Sequence, residues 1–344
     1  MKQARTFIIF LVITFVFTSC GDGLLNDDFR GGDWFYLESK GAVMPVWVTG
    51  NKASNTFVIF LHGGGDSGVA MSALATAFKQ LEREYALVYY DQRGAGTAQG
   101  NPDNDSFTVE QHVEDLQKLI HLIRHKYGNP NIFLMGHSWG GAFGTAYLLD
   151  ANNQQYISGW IMIDGAYNYV DSITLSFEWV KQKAQENIDN GIDVSYWQKE
   201  LAWYAGITPS WDHWGKHEQN ADKLNGAFYN PSNRVIILEQ LKLIFNTPLS
   251  LNIVLNAQNR AKYLKVNDIN FSSELQKITV PSLVIWGRHD GLVPVELGQF
   301  AYDGLGTVSN DKYLHIFEYS AHTPYLEQPQ LFFEKIKEFV DKYK

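Results

Sequence analysis

Short apolar runs bounded by turn residues alternate with stretches of helical periodicity along most of the chain, the pattern of a mainly parallel α/β sheet. Trp34–Leu37 and Val43–Val48 are expected to open the fold as an antiparallel pair. Phe57–Leu61 is an apolar run of buried-strand type that ends in His62-Gly63-Gly64-Gly65. Helical spacing over Met71–Glu84 gives way to a strand at Ala86–Tyr90, followed by the loop Asp91-Gln92-Arg93-Gly94-Ala95-Gly96. Thr108 with Gln111 three residues on has the form of a capping box. Val113, Leu116, Ile120 and Ile123 then give one apolar stripe, and Gly128, Asn129 and Pro130 stop the helix. Asn131–Met135 is the next strand, running into Gly136-His137-Ser138-Trp139-Gly140 and a small-residue helix over Gly140–Leu149, with a further strand at Ile157–Ile163.

From 167 to 266 this rhythm is lost. The stretch is helical in texture and carries Trp179, Trp197, Trp203, Trp211 and Trp214, which predicts an inserted helical cap. The rhythm returns with strand Ser282–Trp286, helix Pro294–Ala301, strand Tyr313–Tyr319 and a closing helix Pro324–Tyr343. The expected organisation is therefore a core formed by 34–166 and 267–344, with the cap at 167–266 between its halves.

The N-terminus adds a separate segment. Lys2 and Arg5 precede an apolar stretch, Phe7–Phe17, too short to cross a hydrocarbon core that needs roughly 20 residues. Phe17-Thr18-Ser19-Cys20-Gly21 resembles a bacterial lipoprotein signal, which implies a signal peptide at 1–19, lipidation of Cys20 and a polar tether over 20–33. The implied location is the cell envelope, on the periplasmic or surface face of a membrane, with plain secretion as the alternative. Cys20 is the sole cysteine of the 344 residues, so neither an intramolecular disulfide nor a Cys-based zinc site is possible. The net charge of −9 gives no basic footprint for nucleic acid.

Gly136-His137-Ser138-Trp139-Gly140 fits G-x-S-x-G. The bare motif is weak, but between an apolar strand and a small-residue helix it occupies the place of a nucleophile elbow. A serine hydroxyl there needs a histidine base held in one tautomer by a carboxylate. Asp290 and His322 each follow an apolar strand, at carboxyl ends where α/β sheets place ligands. His322 is preferred over His289, which lies in the acid's own loop, and over His62 and His137, which suit orientation of backbone. Asp164, at the end of strand Ile157–Ile163, is the rival for the acid. Backbone N–H groups of Gly64 and Trp139 are the expected oxyanion donors. No metal or organic cofactor is implied.

His62-Gly63-Gly64-Gly65, Asp91-Gln92-Arg93-Gly94-Ala95-Gly96-Thr97, Gly136-His137-Ser138-Trp139-Gly140-Gly141, Asp290 and His322 resemble the α/β-hydrolase superfamily, and within it the prolyl aminopeptidase branch. The resemblance implies cleavage of an ester or amide through an acyl-enzyme, with a small-molecule or short-peptide substrate. Two positions depart from the branch: Gly65-Asp66 replaces Pro-Gly, and His137 replaces Gly. They leave an aminopeptidase, a carboxylesterase or lipase-like enzyme of small acyl esters, and a non-catalytic lipid-anchored binding protein as readings. An aminopeptidase of this type needs cap carboxylates for the substrate ammonium, and Glu178, Glu186, Glu200, Glu218 and Glu239 are available. Arg93 is expected to brace the loops beneath the site.

Overall fold

A mixed nine-stranded sheet sets the frame of the chain in a computed structural model that describes residues 31–64, 67–232, 256, 264–266 and 268–344. Strands β1 (Asp33–Ser39) and β2 (Ala42–Gly50) are neighbours joined by Lys40-Gly41, both at positive φ, the backbone of a tight hairpin. β2 lies antiparallel to β4 (Ala86–Tyr90) through Val46–Gly50 and pairs at Ala42 and Val43 with the short antiparallel strand β5 (Gln99–Gly100). From there the sheet is parallel through β3 (Thr56–Leu61), β6 (Asn131–His137), β7 (Gly159–Ile163), β8 (Ser282–Gly287) and β9 (Lys312–Phe317).

β3, β4, β6, β7 and β8 are buried along nearly their whole length, which is why they read as unbroken apolar runs. Alternate side chains serve opposite faces. Ile132 and Leu134 join a core with Leu116, Leu119, Ile120 and Ile123 of α3 (Val109–Tyr127) and Ala142 and Phe143 of α4 (Trp139–Leu148). Phe133, between them, turns the other way and meets Phe339, while Phe60 meets Phe78. That second layer comprises α2 (Thr76–Glu84) and α11 (Pro329–Tyr343), which pack on each other.

Two expected helices are broken, for different reasons. Met71–Glu84 divides into α1 (Gly68–Leu74) and α2 at Ala75, whose backbone is extended. Leu74, Ala75 and Phe78 are all buried around the break, and this tertiary packing overrides the helix propensity of alanine. The closing helix divides at Gln328 into α10 (Pro324–Glu327) and α11, because Pro329 pushes the residue before it out of helical geometry. The capping box at Thr108 is half formed. Thr108 accepts from Gln111 N–H, but the Gln111 amide turns inward to Asp115.

Between β7 and β8 the described cap helices are α6 (Tyr169–Asp189), α7 (Val194–Ala205) and α8 (Trp214–Lys223). Their own small core gathers Phe177, Val180, Tyr204 and Ala221. α5 (Ala151–Gln154) and α9 (Glu296–Gly304) complete the helices named here. Much of the expected cap lies outside the described residues. So do the N-terminal signal, Cys20 and most of the tether. Among the described residues no helix is long and apolar enough to cross a membrane.

Arg93 takes the bracing place expected of it. Fully buried, it grips Asp115 with two parallel hydrogen bonds of 2.6 and 2.8 Å and reaches Ser106 and the Ser39 carbonyl. Removing one partner strands the other's charge, which typically costs about 3–5 kcal/mol. Urea unfolding of Arg93→Ala is expected to show a loss of that size. Lys40→Ala, which removes one half of an exposed pair with Glu114, is expected to cost about 1 kcal/mol or less.

Candidate active site

Ser138 sits between β6 and α4 with φ 53° and ψ −116°, a strained backbone for a residue bearing a side chain. Its N–H donates to the Ile163 carbonyl at 3.0 Å, and its own carbonyl accepts from Gly141 and Ala166. So sharp a turn forces strand and helix together. A Cβ on Gly136 would lie 2.5 Å from the Gly140 carbonyl oxygen, and one on Gly140 would strike the Leu61 carbonyl. Glycine is required at both positions by close approach.

Asp290 and His322 come from the loops after β8 and β9. Both are buried, and His322 Nδ1 is 2.7 Å from Asp290 Oδ2. The other carboxylate oxygen, Oδ1, accepts from Leu292 and Val293 N–H at 2.8 and 2.9 Å. With Nδ1–H donating to the carboxylate, the basic nitrogen of the neutral ring is Nε2. His322 and Ser138 line one cavity of about 300 Å³. The structure thus gathers the serine, histidine and aspartate that the strand pattern singled out. His289, the alternative base, instead stacks on Tyr229 at 4.5 Å.

Gly64 lines the same cavity, and a Cβ on it would be 3.8 Å from Trp139 Cβ, so the two segments adjoin. A small network fixes them. The Trp139 indole donates to Gln92 Oε1 at 2.9 Å, and the Gln92 amide donates to the His62 carbonyl at 2.9 Å. His62 Nε2 accepts from Gln92 N–H at 3.1 Å, which leaves Nδ1–H to donate to the Gly63 carbonyl at 2.8 Å. Gln92 had no assigned role in the sequence, although its place inside the Asp-Gln-Arg-Gly loop was the signal. Gly65 lies outside the described residues.

His137 orients backbone, as its position implied. Burial, and then the neighbouring His322, push its pKa well down, so the ring is neutral. Its Nε2–H donates to the His322 carbonyl at 2.8 Å, and Nδ1 accepts from the Tyr325 hydroxyl at 3.3 Å. Tyr325, one turn beyond His322, was not anticipated. From the cap side, the Gly226 carbonyl accepts from Gly291 N–H, and the Ala227 carbonyl accepts from His322 N–H. Asp164, the rival acid, is buried beside Asp290, and its Oδ1 accepts from Gly287 N–H at 2.9 Å.

The cap glutamates separate by surroundings. Glu178 and Glu186 pair with Lys181 and Lys183 on exposed helix surface. Glu200 is buried; burial opposes its charge, but Lys216 and Asn220 prevail and hold its pKa below the usual range. Glu239 lies outside the described residues. Glu218 lines the cavity together with Trp211 and Trp214, which stack on each other at 5.1 Å. The tryptophans therefore divide between two tasks: Trp211 and Trp214 wall the cavity, while Trp197 is buried within the cap.

A strained serine elbow on a parallel sheet, a buried His–Asp pair and a shared cavity beneath helices define a serine hydrolase of α/β-hydrolase architecture. Residues 52–329 match the family described as serine aminopeptidase, S33, and the chain belongs to it. Among curated relatives, the proline iminopeptidase of Saccharolobus solfataricus is 27% identical over 298 residues, covering 85% of this chain and 86% of that one. That of Heyndrickxia coagulans is 26% identical over 315 residues, covering 89% and 98%. Among solved structures, the esterase RhEst1 from Rhodococcus sp. ECU1013 superposes with a TM-score of 0.61 at 16% identity, covering 91% and 100%. A proline iminopeptidase-related protein from Thermus thermophilus gives 0.58 at 18%, covering 91% and 98%; at these identities the likeness is one of fold.

The cap also contains a neutral histidine. His217 is wholly buried, between Ser176 Oγ at 2.6 Å and Tyr204 OH at 3.0 Å, and burial lowers its pKa from 6.5 to about 3. It therefore takes up a proton on unfolding, and stability falls as the pH drops through that window. Urea midpoints are expected to decrease between about pH 7 and about pH 5, at up to about 1.4 kcal/mol per unit for this one group. His217→Gln, which has no proton to gain, is expected to flatten the decline.

Proposed function

We propose that Ser138 attacks the substrate carbonyl while His322 takes its proton, and that Asp290 stabilises the resulting imidazolium. The Gly64 and Trp139 N–H groups would hold the oxyanion, each such donor contributing roughly 3 kcal/mol to the transition state. His322 then returns the proton to the leaving amine or alcohol, and water releases the acyl group by the same route reversed. The cavity's polar groups are few and its walls mainly apolar and aromatic, suited to a small acyl group held away from water.

The particular reaction we infer is removal of an N-terminal residue, proline or one of similar size, from short peptides. Glu218 carries this reading. It is the carboxylate that lines the cavity among the described residues, and it lies on the element that also supplies Trp214. A free ammonium placed there meets a negative charge and an aromatic face, the two features that recognise such a group. The relatives named proline iminopeptidase support the same choice.

Proline p-nitroanilide is expected to turn over, and its N-acetyl derivative to be cleaved at least ten-fold more slowly. Glu218→Gln should raise KM for the free-amine substrate about ten- to a hundred-fold, the weight of one hydrogen bond to a charged group, with a smaller effect on kcat. The same variant should leave hydrolysis of p-nitrophenyl acetate unchanged. Equal cleavage of blocked and free substrates would favour the esterase reading instead. Ser138→Ala is expected to abolish labelling by a fluorophosphonate probe; labelling that persists would remove Ser138 from the mechanism, and no labelling of the unaltered enzyme would favour the binding-protein reading.

We also propose that lipidated Cys20 holds the enzyme at the cell envelope, a reading supported by the composition of residues 1–21. Several acyl chains would be needed for a stable hold, since one is marginal. Expressed in a bacterial host, the chain should incorporate radiolabelled palmitate and sediment with membranes, and Cys20→Ser should do neither.

A further inference from the structure

Asp164 places a second buried carboxyl group against the acid of the triad. It caps β7, whose neighbour β8 leads into the Asp290 loop, and it is held there at φ 45° with its N–H on the Ile285 carbonyl at 3.0 Å. Its Oδ1 accepts from Gly287 N–H, but its Oδ2 is buried with no hydrogen-bond partner as an acceptor. Side-chain atoms of Asp164, Asp290 and His322 all lie within 4.8 Å of one another. An ionised oxygen left bare beside another carboxylate would be costly twice over, by desolvation and by repulsion.

Asp290 offers the remedy. A carboxylate has about four lone-pair sites. Three are occupied: Leu292 and Val293 N–H on Oδ1, and His322 Nδ1 on Oδ2. One remains for a donor. We propose that Asp164 keeps its carboxyl proton and donates it in a hydrogen bond to the Asp290 carboxylate, so that the buried pair carries one negative charge and Asp164 tempers the hold of Asp290 on His322. The forces acting on Asp164 agree: burial first, then the Asp290 charge and, more distantly, Glu327 raise its pKa well above the usual carboxylate range, against the Gly287 N–H, which lowers it. Two buried carboxyls sharing one proton is a known solution to such crowding.

Asp164 is thus a positioning residue acting through Asp290, an inference that rests on the triad reading above. Its test is the pH dependence of fluorophosphonate labelling at Ser138, which needs no knowledge of the natural substrate. The acid limb of that profile reports when His322 becomes a neutral base. Asp164→Asn retains both an acceptor for Gly287 N–H and a donor for Asp290, and is expected to leave the limb in place. Asp164→Leu removes the donor, concentrates charge on Asp290 and is expected to move the limb up by about half to one pH unit, reflecting a stronger hold on the imidazolium. If Asp164 were instead ionised, both variants would delete a negative charge beside His322 and move the limb down. That result, or a limb that Asp164→Leu leaves unmoved, would overturn the proposal. Should Asp164→Leu fail to fold, the infrared spectrum decides. A protonated-carboxyl stretch present in the unaltered enzyme at neutral pH and lost in Asp164→Asn is expected, and its absence from the unaltered enzyme overturns the proposal. Failure of the enzyme to label at all would sink the triad reading rather than this one.

Discussion

The turn at Ser138 can exist only where a strand and a helix approach to backbone contact. A residue with a side chain at φ 53°, ψ −116° carries roughly 1–3 kcal/mol of strain, and surrounding bonds must hold it there. They do so from three directions: Ile163 of β7 accepts its N–H, and its carbonyl collects donors from α4 and from the segment after β7. Because β6 lies in the interior of the sheet between β3 and β7, the turn emerges among the carboxyl ends of the parallel strands. The loops carrying Gly64, Asp290 and His322 start at those same ends. Widening the elbow by one methyl at position 140 would push α4 off Leu61 and take Trp139 away from Gly64.

Burial then decides which of the surrounding groups are charged. His137 is too deeply placed to hold a proton, so its ring has one donor and one acceptor, and each has a matching partner. A charged His137 would be disfavoured by burial and by the neighbouring His322, and on the mechanism proposed above it would repel an imidazolium at His322. His62 is bound in the complementary tautomer, with Nδ1 donating and Nε2 accepting. The position that departs from the related branch, His137 in place of glycine, therefore adds a support to the His322 loop and leaves the elbow glycines at 136 and 140 untouched.

The succession of the main strands along the chain, and the serine, aspartate and histidine that follow three of them, were legible in the sequence because buried parallel strands leave uninterrupted apolar runs, and each run pointed to the loop behind it. The order of strands in the sheet was not. The division at Gln328 was not expected, although Pro329, which disfavours helical geometry in the residue before it, was a local signal for it. Nothing local marks the division at Ala75, where a good helix former adopts extended backbone to satisfy packing from both sides. Glu218 could not be told from Glu178 or Glu186 by sequence, because all three sit on helices of mixed polarity. Only the tertiary placement of each helix distinguishes a cavity wall from exposed surface. Gln92 and Tyr325 were hidden for a related reason: each acts through a partner distant in the chain, Trp139 for one and His137 for the other.

The cap is not merely a cover over this chemistry. Ser176 of α6 donates to the Gly291 carbonyl, Gly226 accepts from Gly291 N–H, and Ala227 accepts from His322 N–H, so cap backbone and side chains hold both loops of the acid–base pair. His217, neutral and donating from Nε2, is what frees the Ser176 hydroxyl hydrogen for Gly291. The chain of contacts continues through Tyr204 and Asn220 to Glu200 and Lys216 at the cap surface. Trp214 and Glu218, which face the substrate cavity, flank this same helix at His217. A displacement of α8 would therefore be felt twice, once by the bound substrate and once by the loop that presents Asp290. On the reaction proposed above, the helix that would meet the substrate is tied by these hydrogen bonds to the loop that presents Asp290, so a change that loosens the cap would lower kcat together with affinity.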